Sequence, residues 1–209
     1  MIWFALVALL FADSFWQTKP VTEWTDVEIS KFLADSPWAQ MVSQPGKPVG
    51  GKNSEEGRLV QVYLATATPV VRALAERDRR IDLRRPGYTK ALAEDPLSQE
   101  RALWFDDHRQ GYIIVAARVG NNNAFASDGE TRKMEKDSVM DLGRFKAKVS
   151  ATFPPTQTDP HVYLAFPREV VTASDKDLSF GLYLPGVPVP YRTVTFKLKD
   201  MVVDGKLEM

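Results

Sequence analysis

The last third of the chain alternates greasy and polar residues with a period of two, and that pattern limits the fold more than any other feature. Phe145, Ala147, Val149, Ala151 and Phe153 alternate with Lys146, Lys148, Ser150 and Thr152. Val162, Leu164 and Phe166 alternate with His161, Tyr163 and Ala165, and Leu178, Phe180, Leu182 and Leu184 keep the same spacing. Val194, Phe196 and Leu198 do so against Thr195, Lys197 and Lys199. Successive side chains of a strand point to opposite faces, so four such segments in succession predict an antiparallel sheet with one wet side. Asp204-Gly205, between Val203 and Lys206, predicts a type I′ hairpin that returns the chain as a final short strand. Pro154-Pro155 and the prolines at 185, 188 and 190 punctuate the sheet. Prolines at strand ends blunt an edge against aggregation; the competing reading is a docking edge for a partner strand.

The first half reads differently. Thr25-Asp26-Val27-Glu28 is a capping box that opens a short helix carrying Val27, Ile29, Phe32 and Leu33. Ser36-Pro37 reads as an N-cap with proline at the first helical position, which places Trp38 in a second short turn. Trp24 and Trp38 are read as hydrophobic anchors of this segment. Leu59 to Thr66 predicts a strand, and Thr68-Pro69 opens a helix through about Arg80 with Val70 and Leu74 inward. A further helix starts at Asp95-Pro96, and residues 111–119 form a nearly continuous apolar run suited to a strand covered on both faces. Residues 130–142 predict a weak, solvated helix. Each large inward side chain contributes about 1.5–3 kcal/mol when fully buried, so the sheet must find cover, and the helices supply it. The expected fold is therefore α+β: an antiparallel sheet from the C-terminal half packed against helices of the N-terminal half. It forms a single domain over 15–209, helix-rich to 142 and β-rich from 143.

Composition removes several classes of function. The chain has 27 basic and 27 acidic residues, and this neutrality argues against broad electrostatic capture of nucleic acid or anionic membrane. With no cysteine it has no disulfide, no thiol nucleophile and no thiolate metal site. The only histidines, His108 and His161, are too few for a multi-histidine metal centre. No cofactor is predicted. Ile2 to Ala12 is an uninterrupted apolar run, shorter than the roughly 20 residues of a membrane span. With small residues at Ala12 and Ser14 it predicts a signal peptide over 1–14, cleaved after Ser14, and a secreted or periplasmic product. A buried N-terminal strand or helix is the alternative.

Three motifs invite a sharper reading. Gly46 to Lys52 matches the first seven positions of a phosphate-binding loop, but Asn53 stands where a hydroxyl is needed and no apolar strand leads in, so a surface loop is expected. Arg72, Arg77, Arg79, Arg80, Arg84 and Arg85 alternate with Glu76, Asp78 and Asp82. A solvated helix face is expected there, with Glu76 and Arg80 attracting each other at i,i+4 and Asp78 and Asp82 repelling, so that the helix ends before Asp82. Asp106, Asp107 and His108 form the one compact candidate catalytic trio. Adjacent residues diverge on a helix, however, and a histidine at a helix end is favoured electrostatically in any case. His161 opens a strand on the predicted wet face and is expected to be exposed.

Glu23-Trp24-Thr25, Ser36-Pro37-Trp38-Ala39, Pro69-Val70-Val71-Arg72-Ala73 and Phe196-Lys197-Leu198-Lys199-Asp200-Met201 with Gly205-Lys206-Leu207-Glu208 resemble a group of short, uncharacterised exported bacterial proteins. Phe166-Pro167-Arg168 and Asp177-Leu178-Ser179-Phe180 are also similar. The resemblance covers most of the chain after residue 14 and implies secretion and one compact domain, with no activity attached. The sequence thus points to an exported, non-catalytic binding or structural protein, with a partner at the sheet edge or polar sheet face. The alternatives are a carboxylate-dependent hydrolase using Asp106, Asp107 and His108, or a subunit of a cell-surface assembly.

Overall fold

A computed structural model describes residues 15–43, 59–120, 123–172 and 174–209. The proposed leader over 1–14 and the phosphate-loop-like stretch 46–53 lie outside them. The described residues form helices α1 (Phe15–Thr18), α2 (Asp26–Phe32), α3 (Thr68–Arg84), α4 (Tyr88–Glu94), α5 (Pro96–His108) and α6 (Asp128–Asp137). The strands are β1 (Asp35–Ser36), β2 (Ala39–Val42), β3 (Val60–Leu64), β4 (Tyr112–Arg118), β5 (Val139–Asp141) and β6 (Lys146–Lys148). They continue with β7 (Ala151–Phe153), β8 (His161–Pro167), β9 (Asp177–Tyr183), β10 (Tyr191–Lys197), β11 (Val202–Val203) and β12 (Lys206–Leu207).

The fold is α+β, and the strand pairings are antiparallel. One sheet has the order β1-β2-β3-β4-β8-β7, a second β10-β9-β5-β6, and β11 and β12 make a hairpin. The period-two segments are therefore shared between two sheets. In β10, Arg192, Val194 and Phe196 are buried while Tyr191, Thr193, Thr195 and Lys197 are exposed, the expected wet and dry faces. The dry face meets the large sheet: Phe180 packs on Phe166 of β8 at 5.1 Å between ring centres and on Phe196 at 6.2 Å. The other face of the large sheet is covered from α5, where Phe105 meets Tyr163 at 4.9 Å and Trp104 meets Phe153 at 6.0 Å. Sandwiched in this way, β4 and β8 are buried on both sides. For β4 that was expected; for β8 it overturns the wet face assigned to His161.

Local signals hold where the chemistry is short-range. The Thr25 hydroxyl accepts from the Glu28 amide at 3.1 Å, and the Glu28 carboxylate accepts from the Thr25 amide at 2.7 Å, completing the capping box. Asp95 caps α5 through the Ser98 amide at 2.9 Å. Asp204 (φ 49°) and Gly205 (φ 76°) form the left-handed turn expected between β11 and β12. Other expectations fail for tertiary reasons. Pro37-Trp38 turns a β1–β2 hairpin rather than opening a helix, since Trp38 is drawn into the core at 2% exposure. Helix α3 runs to Arg84 despite Asp78 and Asp82, because Asp82 turns aside to accept from the Thr89 amide and hydroxyl at 3.0 Å each. The helix expected over 130–142 stops at Asp137, and β5 takes Val139–Asp141 into the second sheet. Phe145, expected inward, is exposed at the β5–β6 turn.

Candidate functional site

The sequence-predicted trio does not assemble. Asp106 and Asp107 are exposed on α5, and Asp106 pairs with Arg109 at 3.3 Å. His108 turns the other way: its ring stacks on Trp104 at 4.6 Å, and Nδ1 donates to the Trp104 carbonyl at 2.7 Å. Three consecutive helical positions fan over about 200°, so the divergence follows from helix geometry. Among the described residues no group of three acidic or histidine side chains is placed to hold a metal ion.

A different polar cluster lies under α5. The Asp159 carboxylate accepts from His161 Nδ1 at 2.6 Å, from the His161 amide at 3.1 Å and from the Tyr163 hydroxyl at 2.6 Å, and it pairs with Arg101. A carboxylate is an acceptor only, which places a proton on His161 Nδ1. Burial works to raise the Asp159 carboxyl, but its bonds to His161 and Tyr163 and the charge of Arg101 outweigh it and hold the group at about 2. Burial pushes the Tyr63 and Tyr163 phenols up, with the Asp159 charge acting in the same direction. The Tyr63 ring stands edge-on to His161 at 5.3 Å.

This couple resembles a base with its orienting carboxylate, but it is sealed. His161 is 9% exposed, its Nε2 is buried with no hydrogen-bond partner, and Asp159 already accepts four bonds. With no route for a substrate to Nε2, the cluster ties the 156–159 turn and the start of β8 to α5. Asp159, His161 and Tyr163 share the period-two spacing of one strand face. The missing signal was that Arg101, 58 residues away, would cover that face.

Among the described residues, a large open groove lies where the segment after residue 15 meets the C-terminal hairpin. A groove of about 820 Å³ is walled by Trp16, Trp24, Trp38, Val21, Val202 and Val203, with Arg72 and Asp204 also lining it. Phe15 stands edge-on to Trp24 at 5.1 Å, and Trp16 to Phe32 at 5.8 Å, so α1 is fixed to the core by aromatic packing. The Trp24 indole donates to the Lys19 carbonyl at 3.0 Å, and the Trp38 indole to the Glu208 carbonyl at 2.6 Å. These bonds anchor both rings. Arg72 and Asp204 make no ion pair among the described residues, while Lys19 is held by Glu28 at 2.7 Å. Two smaller grooves, of about 690 and 590 Å³, share the wall residue Val202 with the first, which makes this exposed valine their junction.

In comparisons with known proteins the chain matches no family model, no curated protein and no solved structure. No helix among the described residues is long and apolar enough to cross a membrane.

Proposed function

We propose that the chain is an exported, non-catalytic binding domain that seats its ligand in the groove between the N-terminal aromatic segment and the C-terminal hairpin. One observation carries the reading: the accessible side chains of Trp16, Val21, Val202 and Val203, with Arg72 and Asp204, line a cleft of about 820 Å³ that is backed by the buried Trp24 and Trp38. Sites for small ligands span roughly 300–1,000 Å³ and combine apolar walls with a few polar groups. The apolar run before Phe15 and the resemblance to short exported bacterial proteins support export. The scattered positions of Asp106, Asp107 and His108 and the sealed Asp159–His161 couple favour binding over hydrolysis. Charge neutrality favours a ligand other than nucleic acid. At the sheet edge, Gln40 already donates to the Thr195 carbonyl of β10 at 2.7 Å, so the groove is the stronger docking surface.

Titration with the neutral, environment-sensitive dye Nile red tests the reading. Saturable emission at one site is expected, and Val202→Glu should abolish it while leaving the melting temperature unchanged. Absence of saturable binding, or equal binding by the variant, overturns the proposal.

A further inference from the structure

The β11–β12 hairpin leaves one strand edge open beside this groove. Val202 pairs with Leu207 and Val203 with Lys206, around the two-residue turn Asp204-Gly205. The Glu208 amide donates to the Met201 carbonyl at 3.0 Å. In an antiparallel ladder, hydrogen-bonded and non-hydrogen-bonded pairs alternate. With Met201 and Glu208 bonded, and Val203 and Lys206 bonded across the turn, Val202 and Leu207 form the non-bonded pair. The N–H and C=O of Val202 therefore point away from β12. Val202 is 47% exposed and lies at the junction of the three grooves.

We infer that the ligand is an extended peptide that adds a strand to the free edge of β11. The inference rests on the groove being a binding site. Main-chain bonds from the peptide engage Val202, which supplies a donor and an acceptor on the same side. Apolar side chains of the peptide alternate onto the wall of Trp16, Val21 and Val203, as the two-residue period of an extended chain requires. The charges of the groove fit the same class of ligand. Arg72 and Asp204 are one cation and one anion, both free of ion pairs among the described residues. A peptide with free ends carries a carboxylate for the planar Arg72 fork and an ammonium for Asp204. A purely anionic or purely cationic amphiphile would meet repulsion from one of them.

The test uses a leucine- and valine-rich pentapeptide with a central phenylalanine and free termini, titrated by intrinsic tryptophan fluorescence. Saturable binding is expected, and methylating the main-chain nitrogens of its central residues should weaken it about tenfold by removing strand bonds. Amidating the C-terminus should weaken binding to the natural chain several-fold and leave binding to Arg72→Gln unchanged. Asp204→Asn, which keeps the left-handed turn, should act likewise with an acetylated N-terminus. If Nile red binds but the peptide does not, or the methylated peptide binds equally well, strand addition is wrong while the groove remains a site. If neither binds, the proposed function itself falls. If a chain beginning at Phe15 binds peptide and the full chain does not, the occupant is the apolar run of residues 2–12, and the proposal is likewise overturned.

Discussion

The indole N–H of Trp38 donates to the main-chain carbonyl of Glu208 across 2.6 Å, joining positions 170 residues apart. The Glu208 carboxylate also accepts from the Thr68 hydroxyl at the start of α3. The last residues of the chain are thus fastened to the β1–β2 hairpin and to a helix start, and through β12 they hold β11 in place as the groove's floor. Trp38→Phe keeps most of the buried ring but leaves the Glu208 carbonyl without its donor. That loss is expected to cost about 1–2 kcal/mol, read as a lower urea midpoint at unchanged slope. The same variant should weaken Nile red binding, because the hairpin loses its tether.

Acid should unfold the protein through its bonded carboxylates. Asp159 stands at about 2 in the fold, and so do Glu76, held down by Arg79, and Asp175, held down by Arg144. An unfolded carboxyl titrates near 4, so each group binds its proton more readily once unfolded. Their contribution is present above about pH 4 and is lost as pH falls towards about 2. Urea midpoints measured from pH 6 to pH 2 should drop steeply in that window. Asp159→Asn should lower stability at pH 6 and shallow the acid slope; an unchanged slope would remove Asp159 from this account.

The capping box of α2 satisfies two orphan amides at once, so Thr25→Ala should cost about 1 kcal/mol in urea unfolding. Glu28 also accepts from Lys19 at 2.7 Å, and that bond contributes first to holding its carboxyl at about 2. Glu28→Gln should therefore soften the acid sensitivity of the same helix while retaining part of the cap.

The features legible in the sequence are those whose physics is complete within a few residues. Thr25 with Glu28 and Asp204 with Gly205 close their bonds locally and hold, and the helix start read at Asp95-Pro96 is there, capped by Asp95. The greasy alternation of β9 and β10 was equally legible, because one face of that sheet stays in water. Which layer covers the dry face was not, since Phe180 meets Phe166 only after β8 has joined strands from the first half of the chain. The same limit hid the Asp159 cluster and the burial of His161, both set by where α5 crosses β8. Ser36-Pro37 misled for a related reason: its local preference for a helix start yields to the burial of Trp38. Trp24 and Trp38 were legible as anchors of their segment, but the groove was not, since its facing wall comes from Val202 to Asp204 near the other terminus.

The exposed carboxylates of α5 give the sharpest contrast with the buried one beneath it. Asp106 and Asp107 face water, and the Asp106–Arg109 pair at 3.3 Å joins two exposed side chains, an arrangement worth little in high dielectric. Replacing both with asparagine should move the unfolding free energy by no more than about 0.5 kcal/mol, and Nile red affinity not at all. His108→Ala removes a ring stacked on Trp104 and the bond to the Trp104 carbonyl, so it should cost about 1 kcal/mol. Trp104 also packs on Phe153, and loosening it should quench or shift its fluorescence without reaching the distant groove. If the double asparagine variant instead lost a hydrolytic activity while keeping its fold, those carboxylates would have to work from the exposed face of α5, and binding alone would no longer account for the protein.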